Sequence, residues 1–162
     1  MALTLAQQQA LKADILADPA LAAHPNNGDG NTAIQAAYLV VGPSNTHTVF
    51  RTLVMLAEVG DAFNGTEFEG NLTGLELERL RTIADYSTNG INPSRADRRT
   101  LFANVWAGCP TTLAALDTLW RRLANRGERL FASGTGSVAS PATLTFEGQI
   151  SLNDIQEARN LP

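Results

Sequence analysis

The chain has 162 residues, a formal net charge of −4 and 44% hydrophobic residues, which is enough for one domain with a real core. Only 17% of its residues are charged, against about 25% in ordinary soluble domains, so uncharged polar side chains must cover much of the surface. No apolar run approaches the ~18 residues of a membrane span, and the single cysteine, Cys109, excludes an internal disulfide and a thiolate metal cluster.

A weakly charged surface suits a subunit that buries part of itself against neighbours, and it suits a monomer equally. The stretch from Met1 to Ile15 lacks the basic start and continuous apolar core of a signal peptide. The expectation is a protein that works in the cytosol or in something assembled there. Residues 1–78 carry two basic and nine acidic groups, whereas residues 79–129 carry nine arginines and four acids. Every basic residue except Lys12 is arginine, the cation that makes planar two-point contacts to carboxylate or phosphate. Acidic and basic regions on one chain can pair internally or between copies in a ring.

Taken in order, Thr4 with Gln7 three residues on is a capping box, predicting a first helix to about Ala17 with Leu11, Ile15 and Leu16 inward. Asp18-Pro19 then caps a short helical turn to Ala23. His24 to Gly30 reads as a loop, and Thr32 with Gln35 restarts a helix that Gly42-Pro43 stops. Ser44 to Val54 favours an extended strand. A helix is expected from near Thr52 with Leu56, Val59 and Phe63 inward, closed by Asn64-Gly65, and Glu67 to Asn71 reads as a loop.

Thr73 and Glu76 form the next capping box, with Leu72 and Leu77 as a hydrophobic staple. Leu77, Leu80 and Ala84 should line that helix, and Asn89-Gly90 ends it. Asn92-Pro93-Ser94 opens a helix with Leu101, Phe102, Val105 and Trp106 inward, ended by Gly108 and Pro110. From Thr111 to Ala132, Leu113, Leu116, Trp120, Leu123, Gly127 and Leu130 step by three and four. That spacing predicts one long amphipathic helix with a buried stripe and a basic outer face.

Beyond Ala132, Ser133 to Ser137 and Ala139-Ser140-Pro141 form a flexible linker. Leu144 and Phe146 alternate onto one side of a single strand, and Ser151 with Asp154 caps a last helix carrying Leu152 and Ile155. The strand is expected either to reach a neighbour's sheet edge as an arm or to form a hairpin with residues 46–50. The fold expectation is mainly α, with a helical bundle body over residues 1–132 and a C-terminal extended arm, one strand plus a short helix, over residues 133–162.

Few groups point to chemistry. His24 and His47 have no zinc-ligand spacing, and no nucleophile elbow is present. Asn27-Gly28-Asp29-Gly30-Asn31 lacks the closing glutamate of a calcium loop, so it reads as a turn. Gly134-Thr135-Gly136-Ser137 follows a helix rather than a strand and has no lysine nearby, unlike a phosphate loop, so it reads as a hinge. The acid pairs Glu67/Glu69 and Glu76/Glu78 read as solvated charge. No cofactor or metal is expected. The one constellation retained is Arg95, Arg98, Arg99, Arg121, Arg122, Arg126 and Arg129, as one candidate interface patch, with Leu144 and Phe146 as the arm's contact residues.

Three stretches, LKADILADPALAAHPNNGDGNTAI, NGINPSRADRR and RLFASGTGSVASPATLTFEG, together resemble a family of small proteins encoded by tailed bacteriophages and prophages among the genes for virion structure and assembly. The resemblance covers both ends and the middle, and is least from Ser44 to Leu75. It carries over no catalytic residues. It implies a virion component, without fixing which part of the particle. The expected setting is a virion assembled in the host bacterial cytoplasm, and with no catalytic signature in the sequence the chain is not expected to be an enzyme. Low surface charge, segregated arginines and a tethered strand suit a ring subunit, so the expected role is a neck protein, a head–tail connector or adaptor subunit. Its partners would be copies of itself in a ring and other virion proteins such as portal or tail, with at most weak contact to packaged DNA and none to membrane. The alternatives are a DNA-binding accessory protein using the arginine helices, a tail or baseplate component, and a virion hydrolase resting on the acid pairs alone.

Overall fold

A computed structural model describes residues 2–42, 46–87 and 89–162. Among these the fold is mainly α, with ten helices and two two-stranded sheets. The helices are α1 (Leu5–Ala17), α2 (Pro19–Ala22), α3 (Gly28–Leu39), α4 (Leu56–Asp61), α5 (Gly65–Asn71), α6 (Gly74–Tyr86), α7 (Ala96–Val105), α8 (Pro110–Leu119), α9 (Arg126–Phe131) and α10 (Leu152–Asn160). The strands are β1 (Thr48–Phe50), β2 (Arg121–Leu123), β3 (Ala132–Ser133) and β4 (Thr143–Leu144), paired β1 with β2 and β3 with β4. No helix among the described residues is long and apolar enough to cross a membrane. Pro43 and Ser44, expected as a helix stop and the start of an extended stretch, lie outside the described residues.

The chain divides into two compact units, and the boundary is not at residue 132. The first unit combines Met1–Thr48 with Leu123–Pro162, and the second is Val49–Arg122.

In the first unit, Thr4 caps α1 through the expected box with Gln7. Leu11 and Ile15 are buried, but Leu16 is 64% exposed, because it lies beside Ile15 and a helix turns about 100° per residue. Asp18 caps α2 by accepting from the Ala20 N–H at 3.0 Å. α3 begins four residues before the expected restart at Thr32. Asn27 supplies the cap, accepting from the Gly30 N–H at 2.9 Å, so the apparent glycine-rich turn is a helix start. A Cβ on Gly30 would lie 2.0 Å from the Pro25 carbonyl oxygen, a close approach only glycine permits.

The C-terminal segment closes this unit. Ala132 pairs with Leu144 and Ser133 with Thr143 in an antiparallel register, and Phe146 meets Phe131 edge-on at 5.4 Å. Phe146, Ile150, Ile155 and Ala158 share one core with Leu11, Ile15, Ile34 and Tyr38. Asp154, which caps α10 with Ser151, also accepts from the Leu3 N–H at 3.1 Å and so ties the two ends of the chain together. The expected hairpin with residues 46–50 forms only at Thr48, whose C=O accepts from the Ala142 N–H at 2.9 Å.

In the second unit, Val54 and Ile91 form an antiparallel bridge, each N–H donating to the other's carbonyl at 2.8 Å. That bridge holds residue 54 extended and delays the expected helix to Leu56. Asn64 starts a helix instead of ending one, accepting from the Glu67 N–H at 3.1 Å, so the expected loop at 67–71 is helical. Among the α6 residues whose burial is described, Ile83 is the buried one, while Leu77 is 42% exposed. Trp106, Val105, Phe102, Leu116 and Trp120 form the centre of the core, with Phe102 and Trp120 edge-on at 5.4 Å.

The long helix expected over Thr111–Ala132 is broken. α8 ends at Leu119, the chain extends through β2, and α9 starts after an Asn125–Glu128 capping box. The cause is competition for two backbone groups. A continuous helix would bond the Ala124 N–H to the Trp120 carbonyl. Here the Trp120 carbonyl accepts from the Arg51 N–H at 2.8 Å, and the Ala124 N–H donates to the His47 carbonyl at 2.9 Å. Leu123, expected in the buried stripe, is consequently 45% exposed, whereas Trp120 is buried as expected.

Candidate functional site

The seven arginines are distributed over both units and do different work. At the start of α7, Arg95 is exposed and grips Asp97 with two donors at 3.1 and 2.8 Å. Arg98 is half-buried and lines a cleft with Gly90, Ile91 and Leu101. Arg99 donates to the carbonyls of Pro93 (2.5 Å) and Ser94 (3.0 Å), and its guanidinium lies 3.8 Å from the centre of the Phe50 ring. Those contacts fix the turn ahead of α7 and turn Arg99 inward. Burial, then the charge of Arg121, makes its protonated form less favourable than usual. Arg121 pairs with Asp117 one turn earlier, and Arg122 is half-buried.

Arg126 is not on an outer face. Its Nε donates to Asp14 Oδ2 at 3.0 Å and a terminal nitrogen to Asp18 Oδ2 at 2.5 Å, while the Tyr38 hydroxyl donates to the same Asp14 oxygen at 2.6 Å. The bond from Arg126 holds the Asp18 carboxyl below its ordinary range. Burial, then the bond to Asp14, pushes the Tyr38 phenol well above its own. This cluster binds α1, α3 and α9 into one body. Arg129 alone points outward from the first unit, beside His47. Of the two arm residues, Leu144 is half-buried in β4 and Phe146 is core.

The acid pairs separate into structural and solvated groups. Glu67 accepts from the N–H groups of Thr111 and Thr112, both at 2.8 Å, and so caps α8 from a distant helix. Burial opposes its charge, but those donors hold its carboxyl at about 2. Glu76 accepts from the Thr73 N–H at 2.7 Å as the expected cap. A general acid or base needs a pKa near the working pH, and a carboxylate locked at about 2 is unsuited to that role. Among the described residues no group of three or more His, Cys, Asp and Glu could hold a metal ion.

Sequence reasoning missed an apolar groove of about 340 Å³ in the second unit, lined by Leu56, Val59, Phe63, Phe68, Leu77 and Phe102, with Arg81 as its one charged lining residue. Phe68 and Leu77 are 39% and 42% exposed. Behind the groove wall, the Trp106 ring packs at a tilt against Phe63, centroids 4.4 Å apart, and against Phe68 at 6.1 Å. The groove was hidden because Phe68 falls in a stretch read as a loop and Leu77 in a stripe read as buried. Large apolar side chains left open at a concave surface mark a contact site for another molecule. Compared with protein-family models, with curated proteins and with solved structures, the chain matches none.

Proposed function

We propose that this chain is a structural subunit of a tailed-phage particle, a neck ring protein of the head–tail connector or adaptor kind that works through protein–protein contacts. The observation that carries the reading is the open apolar groove of the second unit, with Phe68 and Leu77 at its edge. An apolar surface of this kind is satisfied by a protein partner. The resemblance of the three sequence stretches to phage virion proteins supplies the setting, and the low content of charged residues agrees with a surface partly covered in an assembly.

The C-terminal arm enters this reading in a changed role. Its strand pairs with β3 of the same chain and its Phe146, Ile150, Ile155 and Ala158 are core, so in the free subunit it acts as a clasp closing the first unit. Contacts between copies then fall on the groove and on the exposed arginines.

Mass photometry or native mass spectrometry of the purified chain, followed by image averaging, tests the proposal. The expected result is a closed ring that Leu77→Glu dissociates without loss of helix content. A chain that stays monomeric at every concentration, alone and with portal or tail proteins, overturns it.

A further inference from the structure

We propose that the first unit binds a tetrahedral oxyanion of the phosphate class in a cavity of about 410 Å³ lined by His47, Arg129, Thr135, Gly136 and Ser137. The loop from Thr135 to Ser140 is built into place. The Gly136 carbonyl accepts from the Thr48 N–H at 2.7 Å, and the Thr135 hydroxyl donates to the Ser140 carbonyl at 3.0 Å. The Ser140 N–H donates to Ser137 Oγ at 2.9 Å, which uses that oxygen as acceptor and leaves its O–H proton for a ligand.

Gly136 shows that the histidine belongs to this loop. Its φ is +67°, and a Cβ built there would meet His47 Cε1 and Nδ1 at 2.1 Å. The imidazole therefore lies directly against the glycine backbone, an approach that any side chain would block.

Charge completes the site. His47 and Arg129 are the only titratable or charged residues lining the cavity among the described residues. Arg129 is exposed and makes no ion pair among the described residues. Burial, then the Arg129 charge, disfavours protonation of His47; the second of these reflects a cation facing the imidazole, which a bound anion would offset. The GTGS sequence lacks the lysine of a phosphate loop. The fold brings a histidine and an arginine to it from elsewhere in the chain, which no local motif could show.

The full-length chain is titrated with inorganic phosphate while the His47 Cε1–H resonance is followed by NMR across pH, with chloride at matched ionic strength as control. His24 serves as an internal reference. The expected result is a saturable shift of His47 and an upward move of its titration, with affinity reduced about tenfold in Arg129→Gln, the loss of one charge-assisted hydrogen bond. Because Arg129 is exposed, that variant should keep the parent's circular dichroism and melting temperature. A parallel arm uses a short DNA duplex. A His47 shift at lower concentration than phosphate, again sensitive to Arg129→Gln, supports the site and names the nucleic-acid backbone as its source of phosphate. An equal or weaker shift supports the site and names free phosphate or a monoester. No saturable shift with either probe, or a shift unchanged by Arg129→Gln, overturns the proposal.

Discussion

The Arg126 guanidinium reaches back across the first unit to Asp14, Nε to Oδ2 at 3.0 Å, joining α9 to α1. From sequence this arginine belongs to an exposed basic face, and its removal would cost little. With Asp18 and Tyr38 also in contact, and a side chain only 23% exposed, it is a structural residue. Arg126→Ala should destabilise the protein by about 1–3 kcal/mol, the cost of losing bonds to charged groups and stranding their partners. Chemical denaturation checks this, and a loss under about 0.5 kcal/mol, typical of an exposed pair, would count against it.

The same cluster has a signature at high pH. The folded value of Tyr38 is raised, so its contribution is complete below the unfolded tyrosine value and disappears as pH climbs toward the folded one. Ultraviolet titration should show a phenol that ionises late, together with unfolding, and Tyr38→Phe should remove that step.

At acid pH the informative residue is Glu67. Its folded value of about 2 lies below the ordinary 4.5, so its contribution is full above about 4.5 and is lost as pH falls toward 2. Glu67→Gln should melt below the parent at pH 7, with the gap closing steadily between pH 4.5 and pH 2. A gap independent of pH would mean that the carboxylate charge does not matter to the α8 cap.

Gly30 and Gly28 make a matched pair within one helix turn. A methyl group at Gly30 would collide with the Pro25 carbonyl, whereas one at Gly28 meets nothing within 4 Å. Gly30→Ala should cost about 2–4 kcal/mol through backbone displacement. Gly28→Ala should be neutral or stabilise by up to about 1 kcal/mol, because it restricts the unfolded chain. Equal melting temperatures for the two variants would contradict the close approach.

Trp120 is 4% exposed against Phe102. Trp120→Ala should cost about 3–5 kcal/mol from lost burial and the cavity left behind. Thermal and urea denaturation of the second unit's signal should show it, and a parent-like midpoint would place this indole outside the core.

Three helix starts were legible from the sequence because their cause is local. Thr4 with Gln7, Thr73 with Glu76 and Ser151 with Asp154 each satisfy backbone donors within one turn, so neighbouring residues suffice to determine them. The mainly α character follows from the same short-range periodicity, as does the burial of Leu11, Ile15, Phe102 and Trp120.

What failed required knowledge of distant partners. The break after Leu119 depends on residues 51 and 47 capturing the backbone groups of Trp120 and Ala124. The conversion of the C-terminal segment from a free arm to part of a core depends on β3, Phe131 and α1. The candidate sites behave likewise: Arg126 and Glu67 take their roles from Asp14 and from the α8 N-terminus, and the histidine beside Gly136 is supplied by another part of the chain. A hydrogen bond or ion pair acts over a few ångströms in space and is blind to separation along the chain. Local sequence therefore determined where α1, α6 and α10 begin, and only the tertiary structure decided which charges face inward, where the expected long helix breaks and which surfaces stay open.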